Sequence, residues 1–259
     1  MKPSLLIDYY ERARSDPSLA ILEGFHPIKH AIRFGARFTN ILTTDPEQIR
    51  RLADRLAPDV TSSMLPGAEI VPPDVFARLT RPRSPIPTGI IAVANRPTQS
   101  LEKLLNSKEP QPIILLENPR DLGNMGAAIR VAAASGAAGL ITIGEHDPWH
   151  PAAIRGSAGL HFALPVIRTD VLPIRQLADD RPLIILDPDP PAGKGESLTL
   201  DTIPPRAILA FGGERYGLSE NLISRAVKSV RIPMRPGVTS LNLATSVAIT
   251  LYTWKLSQR

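Results

Sequence analysis

Six short apolar runs constrain the fold more than any other feature of the chain: PIILLE, GLITI, FALPVI, PLIILD, AILAFG and SVRIP, all from Pro112 onward. Each is short, bounded by turn residues and without polar alternation, so each reads as a strand covered on both faces. Most are separated by amphipathic or Ala-rich stretches, which places helices between the strands and makes the sheet parallel. The expected fold class is α/β.

Prolines punctuate the rest, 27 in all, and the clearest breaks are RPRSPIP (Arg81–Pro87) and NSKEPQP (Asn106–Pro112). The second break sets the expected division at 1–106 and 107–259. Before it, helices are expected near Ile28–Phe34, Pro46–Leu56 and Pro72–Leu79, with strands near Phe38–Leu42 and Gly89–Asn95. Hydrophobic residues at 43% and charged residues at 21% exclude a disordered or fibrous chain. A net charge of +5 fits a polyanionic partner as well as it fits an ordinary enzyme. The absence of cysteine removes disulfides, thiolate metal sites and cysteine nucleophiles. Leu5–Ile7 is too short for a secretory signal, and the uncharged stretch Pro236–Trp254 contains Thr, Ser and Asn, so a buried helix is expected rather than a membrane span. These features predict a cytoplasmic protein with no membrane association.

In an open α/β sheet, ligands bind beyond the carboxyl ends of strands. Three strand ends carry glycine together with polar groups. In ILLENPRDLGNMGAAIRVAAASG (Ile114–Gly136), Gly123 and Gly126 open a helix, Asn124 reads as its cap, and Arg130 follows among Ala, Ile and Val. A charge on so apolar a helix requires a partner or a ligand, although a snorkelling arginine is the plainer reading. In AILAFGGERYGLSENLI (Ala207–Ile223), Gly212 and Gly213 precede Glu214, and Ser219 reads as a helix cap. The double glycine suggests close approach by a planar or bulky ligand. In RIPMRPGVTSLNLATSVAITLY (Arg231–Tyr252), Ser240 reads as an N-cap and Asn242 as a residue of the first turn. The combined polar set is Asn124, Arg130, Glu214, Ser240 and Asn242.

Other patterns fail their chemistry. PAGKGES (Pro191–Ser197) has Gly195 where a phosphate-binding loop needs Ser or Thr after the lysine. His26/His30 and His146/His150 share i,i+4 spacing but lack the H-E-x-x-H glutamate, and Pro27 and Pro148 argue against regular helices there. No metal is expected.

Together the three strand ends resemble the motifs of the SpoU/TrmH family of S-adenosylmethionine-dependent RNA ribose 2′-O-methyltransferases, in the SPOUT class. Asn124-Met-Gly126-Ala-Ala-Ile-Arg130 matches its first motif. Gly212-Gly-Glu214 with Gly217-Leu218-Ser219 matches the second, and Ile232-Pro-Met234, Gly237 and Ser240-Leu241-Asn242 match the third. Order and spacing agree over about Pro110 to Arg259, and IRGSAGLHFALPV (Ile154–Val166) resembles the segment between the first two motifs.

The resemblance implies a parallel sheet tied into a deep trefoil knot, with S-adenosylmethionine held in the knot largely by backbone. Gly212, Gly213, Ile232 and Leu241 correspond to donor-binding positions. It also implies a homodimer and a small N-terminal α/β domain, like a ribosomal RNA-binding protein, that engages RNA. Arg78, Arg81 and Arg83 are candidate RNA contacts, with a solvated charge run as the bland alternative. The first 18 residues have no counterpart, and Leu122 stands where many relatives have proline. Arg130 is implied to be catalytically necessary, either as the base or as the cation that holds a phosphate and polarises the hydroxyl. An arginine pKa above about 12 weighs against the first role. Glu214 is implied to shape the donor pocket, while Asn124, Ser240 and Asn242 orient Arg130 and the nucleotide. Ribosomal RNA is the expected substrate; transfer RNA, a non-catalytic RNA-binding paralogue and a nucleotide-dependent oxidoreductase are the alternatives.

Overall fold

The structure is a computed structural model that describes residues 3–80, 86–173, 181–190 and 195–258. It divides into two compact units, one of Met1–Thr98 with Trp149–Ala163 and one of Gln99–Pro148 with Leu164–Arg259. Gln99–Asn106, placed in the first part by the sequence reading, thus packs in the second unit, and Trp149–Ala163 packs in the first.

The first unit holds α1 (Pro3–Ala13), β1 (Leu19–Glu23), α2 (Phe25–Arg33), β2 (Phe38–Thr43), α3 (Pro46–Leu56), α4 (Thr61–Met64), β3 (Ala68–Ile70), α5 (Pro73–Leu79) and β4 (Ile90–Asn95). Its sheet runs β1-β4-β2-β3, with β4 antiparallel to both neighbours and β2 parallel to β3. The first residues, which the sequence left without a counterpart, form α1; Leu6, Tyr10 and Ala13 pack with Ile21, Leu42, Phe76 and Ile91. Their spacing of four and three places them on one helix face. At the start of α3, Asp45 accepts a hydrogen bond from the Gln48 N–H at 2.9 Å, beside a proline at the first helical position. Pro27, expected to preclude a regular helix, lies in the first turn of α2, where its missing N–H has no intrahelical partner to lose.

Trp149–Ala163, which contains α8 (Pro151–Gly156), joins this unit through polar contacts. Arg155 reaches buried Glu23 at 2.6 Å, with Arg14 on the other carboxylate oxygen at 3.5 Å. His30 Nδ1 meets the Ala158 carbonyl at 2.7 Å. Gly159, at φ +80°, lies directly against the Pro27 backbone, where a Cβ would collide.

The second unit contains α6 (Leu101–Leu105), β5 (Ile113–Glu117), α7 (Leu122–Ser135), β6 (Gly139–Ile143), β7 (Val166–Thr169), β8 (Leu183–Leu186), β9 (Gly195–Ser197), β10 (Ile208–Gly212), α9 (Glu220–Ile223), β11 (Lys228–Arg231) and α10 (Leu243–Ser257). Its sheet is parallel throughout, in the order β7-β6-β5-β10-β8-β11-β9. Every residue of β5 is buried, as a two-sided sheet requires. Leu115, Ile141, Ile185 and Ile208 belong to one core cluster. Each such side chain contributes about 1.5–3 kcal/mol by leaving water.

The FALPVI expectation shifts in the structure: the strand starts at Val166, and Leu160–Phe162 instead form a single 3₁₀ turn of the first unit. Pro165 has no N–H to give a ladder, but its carbonyl accepts from Leu140 at 2.8 Å just before pairing begins. α7 and α10 pack together, and Lys255 Nζ donates to the Ala134 and Ser135 carbonyls at 3.3 and 3.1 Å, a cation at the C-terminal end of α7.

Candidate active site

β5 and β10 are adjacent strands whose chain paths diverge: β5 leads through α7 to β6 on one side, and β10 through α9 to β11 on the other. Their carboxyl ends therefore mark the reversal in strand order where α/β sheets bind ligands. All three polar strand ends of the sequence converge there.

The loop after β10 folds back on itself. Gly217 N–H donates to the Gly213 carbonyl at 3.1 Å, and the two glycines form an isolated antiparallel bridge. A Cβ on Gly212 would overlap the Gly217 carbonyl, and one on Gly213 would overlap the Asn118 carbonyl. The sequence assigned this double glycine to close approach by a ligand; the nearest approach comes from the protein's own backbone.

The loop is fastened by a residue absent from the expected set. Glu117 ends the otherwise apolar β5 and is 6% exposed. Its carboxylate accepts from the Ser219 N–H and the Ser219 hydroxyl, both at 2.7 Å. Ser219 does precede α9, but its hydroxyl serves this carboxylate and caps no helix N–H. A charged side chain closing a hydrophobic strand was the signal available in PIILLE. Replacing Glu117 by alanine is expected to lower stability by about 3 kcal/mol, the scale of hydrogen bonds to a buried charged acceptor, measurable by urea unfolding of parent and variant.

A directional chain of hydrogen bonds links the three motifs. Glu214 accepts from the Arg120 N–H at 3.2 Å and from Asn124 Nδ2 at 3.1 Å. Asn124 Oδ1 then accepts from Asn242 Nδ2 at 2.9 Å. That leaves Asn242 Oδ1 to accept from the Thr245 N–H at 3.2 Å, capping α10. Because a carboxylate only accepts, the amide orientations follow from Glu214 outward. Two expected caps are thereby corrected. Asn242, not Ser240, caps α10, and Asp121, not Asn124, caps α7, accepting from the Asn124 N–H at 2.6 Å. In each helix the apolar run begins earlier or later than its first polar residue suggests.

Beside this chain lies a cleft of ≈ 600 Å³, within the range of small-molecule sites. Gly212, Gly213, Glu214, Ile232, Ser240, Leu241 and Asn242 line it. Leu186, Ile223 and Met234 add apolar surface, and Asp187 adds a second carboxylate at the end of β8. Arg130 is not among the lining residues. It stands exposed on α7, six residues beyond Asn124, with no hydrogen bond or ion pair among the described residues. Arg78 is exposed on α5 in the first unit, whereas Arg81 and Arg83 lie outside the described residues. Among the described residues no group of His, Asp and Glu could hold a metal ion, and no helix is long and apolar enough to cross a membrane. His150 Nδ1 caps α8 by accepting from the Ala152 N–H at 3.1 Å.

Comparison with known proteins places these features in context. Residues 111–252 match the model of the SpoU rRNA Methylase family. A 23S rRNA (adenosine(1067)-2'-O)-methyltransferase of Streptomyces laurentii is 30% identical over 254 residues, covering 95% of this chain and 89% of the relative. A 23S rRNA (uridine(2479)-2'-O)-methyltransferase of Streptomyces viridochromogenes is 28% identical, covering 96% and 86%. Among solved structures, an RNA 2'-O ribose methyltransferase superposes with a TM-score of 0.71 at 27% identity, over 98% of this chain and 96% of the other. The SpoU methyltransferase AviRb from Streptomyces viridochromogenes, solved with AdoMet, shares the fold at a TM-score of 0.76 and 24% identity, over 98% and 97%.

Proposed function

Because the chain belongs to the SpoU rRNA methylase family, we propose that it is an enzyme that methylates a ribose 2′-hydroxyl of ribosomal RNA with S-adenosylmethionine. The observation that carries the reading is the Glu214–Asn124–Asn242 chain, which joins all three motifs at the mouth of one cleft. Relatives named for methylation of 23S rRNA favour ribosomal over transfer RNA.

The residues fit the donor. Leu186, Ile223, Ile232 and Met234 offer apolar surface to an adenosine, and the turn around Gly212–Gly217 offers backbone groups at close range. Asp187 and Glu214 give the cleft negative charge, suited to a cationic sulfonium and ammonium. When bound, S-adenosylmethionine supplies an electrophilic methyl group. The protein aligns the hydroxyl with that methyl and favours loss of its proton. Arg130, permanently charged and free of partners among the described residues, acts as the cation that holds the adjacent phosphate and polarises the hydroxyl. Asn124 and Asn242, fixed in orientation by Glu214, set the wall against which the nucleotide rests.

The same reading extends to features of the family beyond the cleft. The third-motif segment from Ile232 to Asn242 is proposed to thread a loop as a trefoil knot. A homodimer is supported by the exposed Ile249, Tyr252 and Leu256, spaced three and four apart on α10. The first unit is proposed to bind RNA, with Arg78 as an exposed candidate, and the enzyme is proposed to work in the cytoplasm.

Two measurements test the function. Titration calorimetry is expected to show binding of S-adenosylmethionine and none of NAD; the reverse selects an oxidoreductase. Tritiated donor is expected to label ribosomal RNA from a strain lacking the protein, with the label recovered after alkaline hydrolysis in an alkali-resistant dinucleotide, because a methylated 2′-oxygen cannot attack the neighbouring phosphate. Donor binding without label transfer to any RNA selects the non-catalytic paralogue.

A further inference from the structure

On the lip of the cleft, Tyr216 is 70% exposed yet lines the cavity. Two guanidinium groups approach its ring: Arg120 at 5.3 Å and Arg215 at 5.5 Å from the centroid. The arginines come from different strand ends, one after β5 and one after β10, so their meeting on one ring is tertiary. Neither forms an ion pair among the described residues. The carboxylates beside them in sequence are engaged elsewhere: Glu214, next to Arg215, accepts from the Arg120 N–H and Asn124, and Asp121, next to Arg120, accepts from the Asn124 N–H. Two like charges gathered at one exposed aromatic ring repel each other, and an anion between them relieves the repulsion. The ring face itself is a stacking surface on which a planar group gains contact.

We propose that Tyr216, Arg120 and Arg215 form a platform for the substrate RNA, with a nucleobase stacked on Tyr216 and a backbone phosphate held by the two arginines. RNA supplies both parts of this ligand in one repeating unit, a π-face and an anion. An acidic protein segment supplies only the anion. The position also suits the reaction: a nucleotide anchored on the lip of the cleft delivers its ribose beside the bound methyl donor. The proposal deepens the methyltransferase reading and rests on it for the identity of the cleft, but its own test is RNA binding.

Parent protein, Tyr216→Ala, Tyr216→Phe, Arg120→Ala and Arg215→Ala are compared by fluorescence anisotropy with a mixed-sequence single-stranded oligoribonucleotide, across a salt series. Calorimetry with S-adenosylmethionine alone runs in parallel, and a free mononucleotide serves as competitor. Tyr216→Ala is expected to weaken RNA binding about tenfold, with Tyr216→Phe close to the parent because the ring is retained. Each arginine variant is expected to reduce the slope of log affinity against log salt by about 0.7. The mononucleotide is expected to compete poorly, since it lacks a continuing backbone. Unchanged RNA affinity in Tyr216→Ala, a Phe variant as weak as the Ala variant, or unchanged salt slopes in both arginine variants would overturn the platform. A loss confined to donor affinity would overturn it too, reassigning Tyr216 to the donor. If the parent binds no donor, it is the methyltransferase reading that fails, and the RNA titrations still decide the platform. All three side chains are exposed, and melting curves of each variant confirm that the fold is intact.

Discussion

Replacing Arg130 with alanine is expected to lower kcat for methyl transfer by about 10²–10³-fold, the loss seen when one preorganised charge stabiliser is removed from a reacting centre. Affinity for S-adenosylmethionine is expected to stay within about twofold, a factor worth only some 0.4 kcal/mol, because Arg130 lies on α7 outside the lining of the cleft. Its exposure and lack of partners leave no fold to lose: the side chain bonds to nothing among the described residues. Lysine at this position keeps the charge but loses the two-pronged geometry, so a partial recovery is expected. Initial rates with tritiated donor and unmethylated ribosomal RNA provide the measurement. Equal rates for parent and Arg130→Ala would remove Arg130 from the catalytic set, whatever became of the cleft.

The second large effect is expected from the smallest substitution. Gly212→Ala places a methyl group against the Gly217 carbonyl and the Leu218 N–H, both backbone. No flexible side chain can yield, so the Gly213–Gly217 turn has to open. Overpacking of this kind costs about 3 kcal/mol at the upper end of its usual range. If the protein relieves it by opening the turn, donor affinity falls by roughly a hundredfold. If it does not, the cost appears in the melting temperature. Calorimetry and thermal unfolding on the same sample separate the two. Gly67→Ala is the control, since a Cβ there meets nothing within 4 Å. A Gly212→Ala variant with parental melting and parental donor affinity would show that the turn is not rigid.

Much of this architecture is legible in the sequence because burial on both faces leaves an unbroken apolar signature, as in β5 and β10. β9 escaped because Gly195–Ser197 is a polar edge strand, paired on one side to β11 and with no apolar run. The polar residues of the site were legible as a set, since glycine and amide side chains at strand ends are unusual against so apolar a background. Their roles were less so. Whether Ser240 or Asn242 caps α10 depends on where the first helical turn closes, and that follows from the bond between Asn242 and Asn124, 118 residues apart in the chain. Glu117 shows only as a charge closing an apolar run; the partner that satisfies it, Ser219, lies 102 residues away. Long-range pairing of this kind has no local pattern to reveal it.

The interleaving of the two units has a consequence for how the chain can be cut. Trp149–Ala163 lies between segments of the second unit in sequence but packs within the first. The polypeptide therefore passes between the units three times, near residues 98, 148 and 163, and no single scission releases either one. A fragment ending at residue 98 would keep Glu23 but lose α8, which packs on β1, and Arg155, its closer cation, leaving Arg14 as the remaining one at 3.5 Å. Removing one partner of a buried ion pair is destabilising. Exchanging the N-terminal part for that of a relative thus calls for two grafts made together, the leading segment and the inserted helix, since each supplies half of one ion pair.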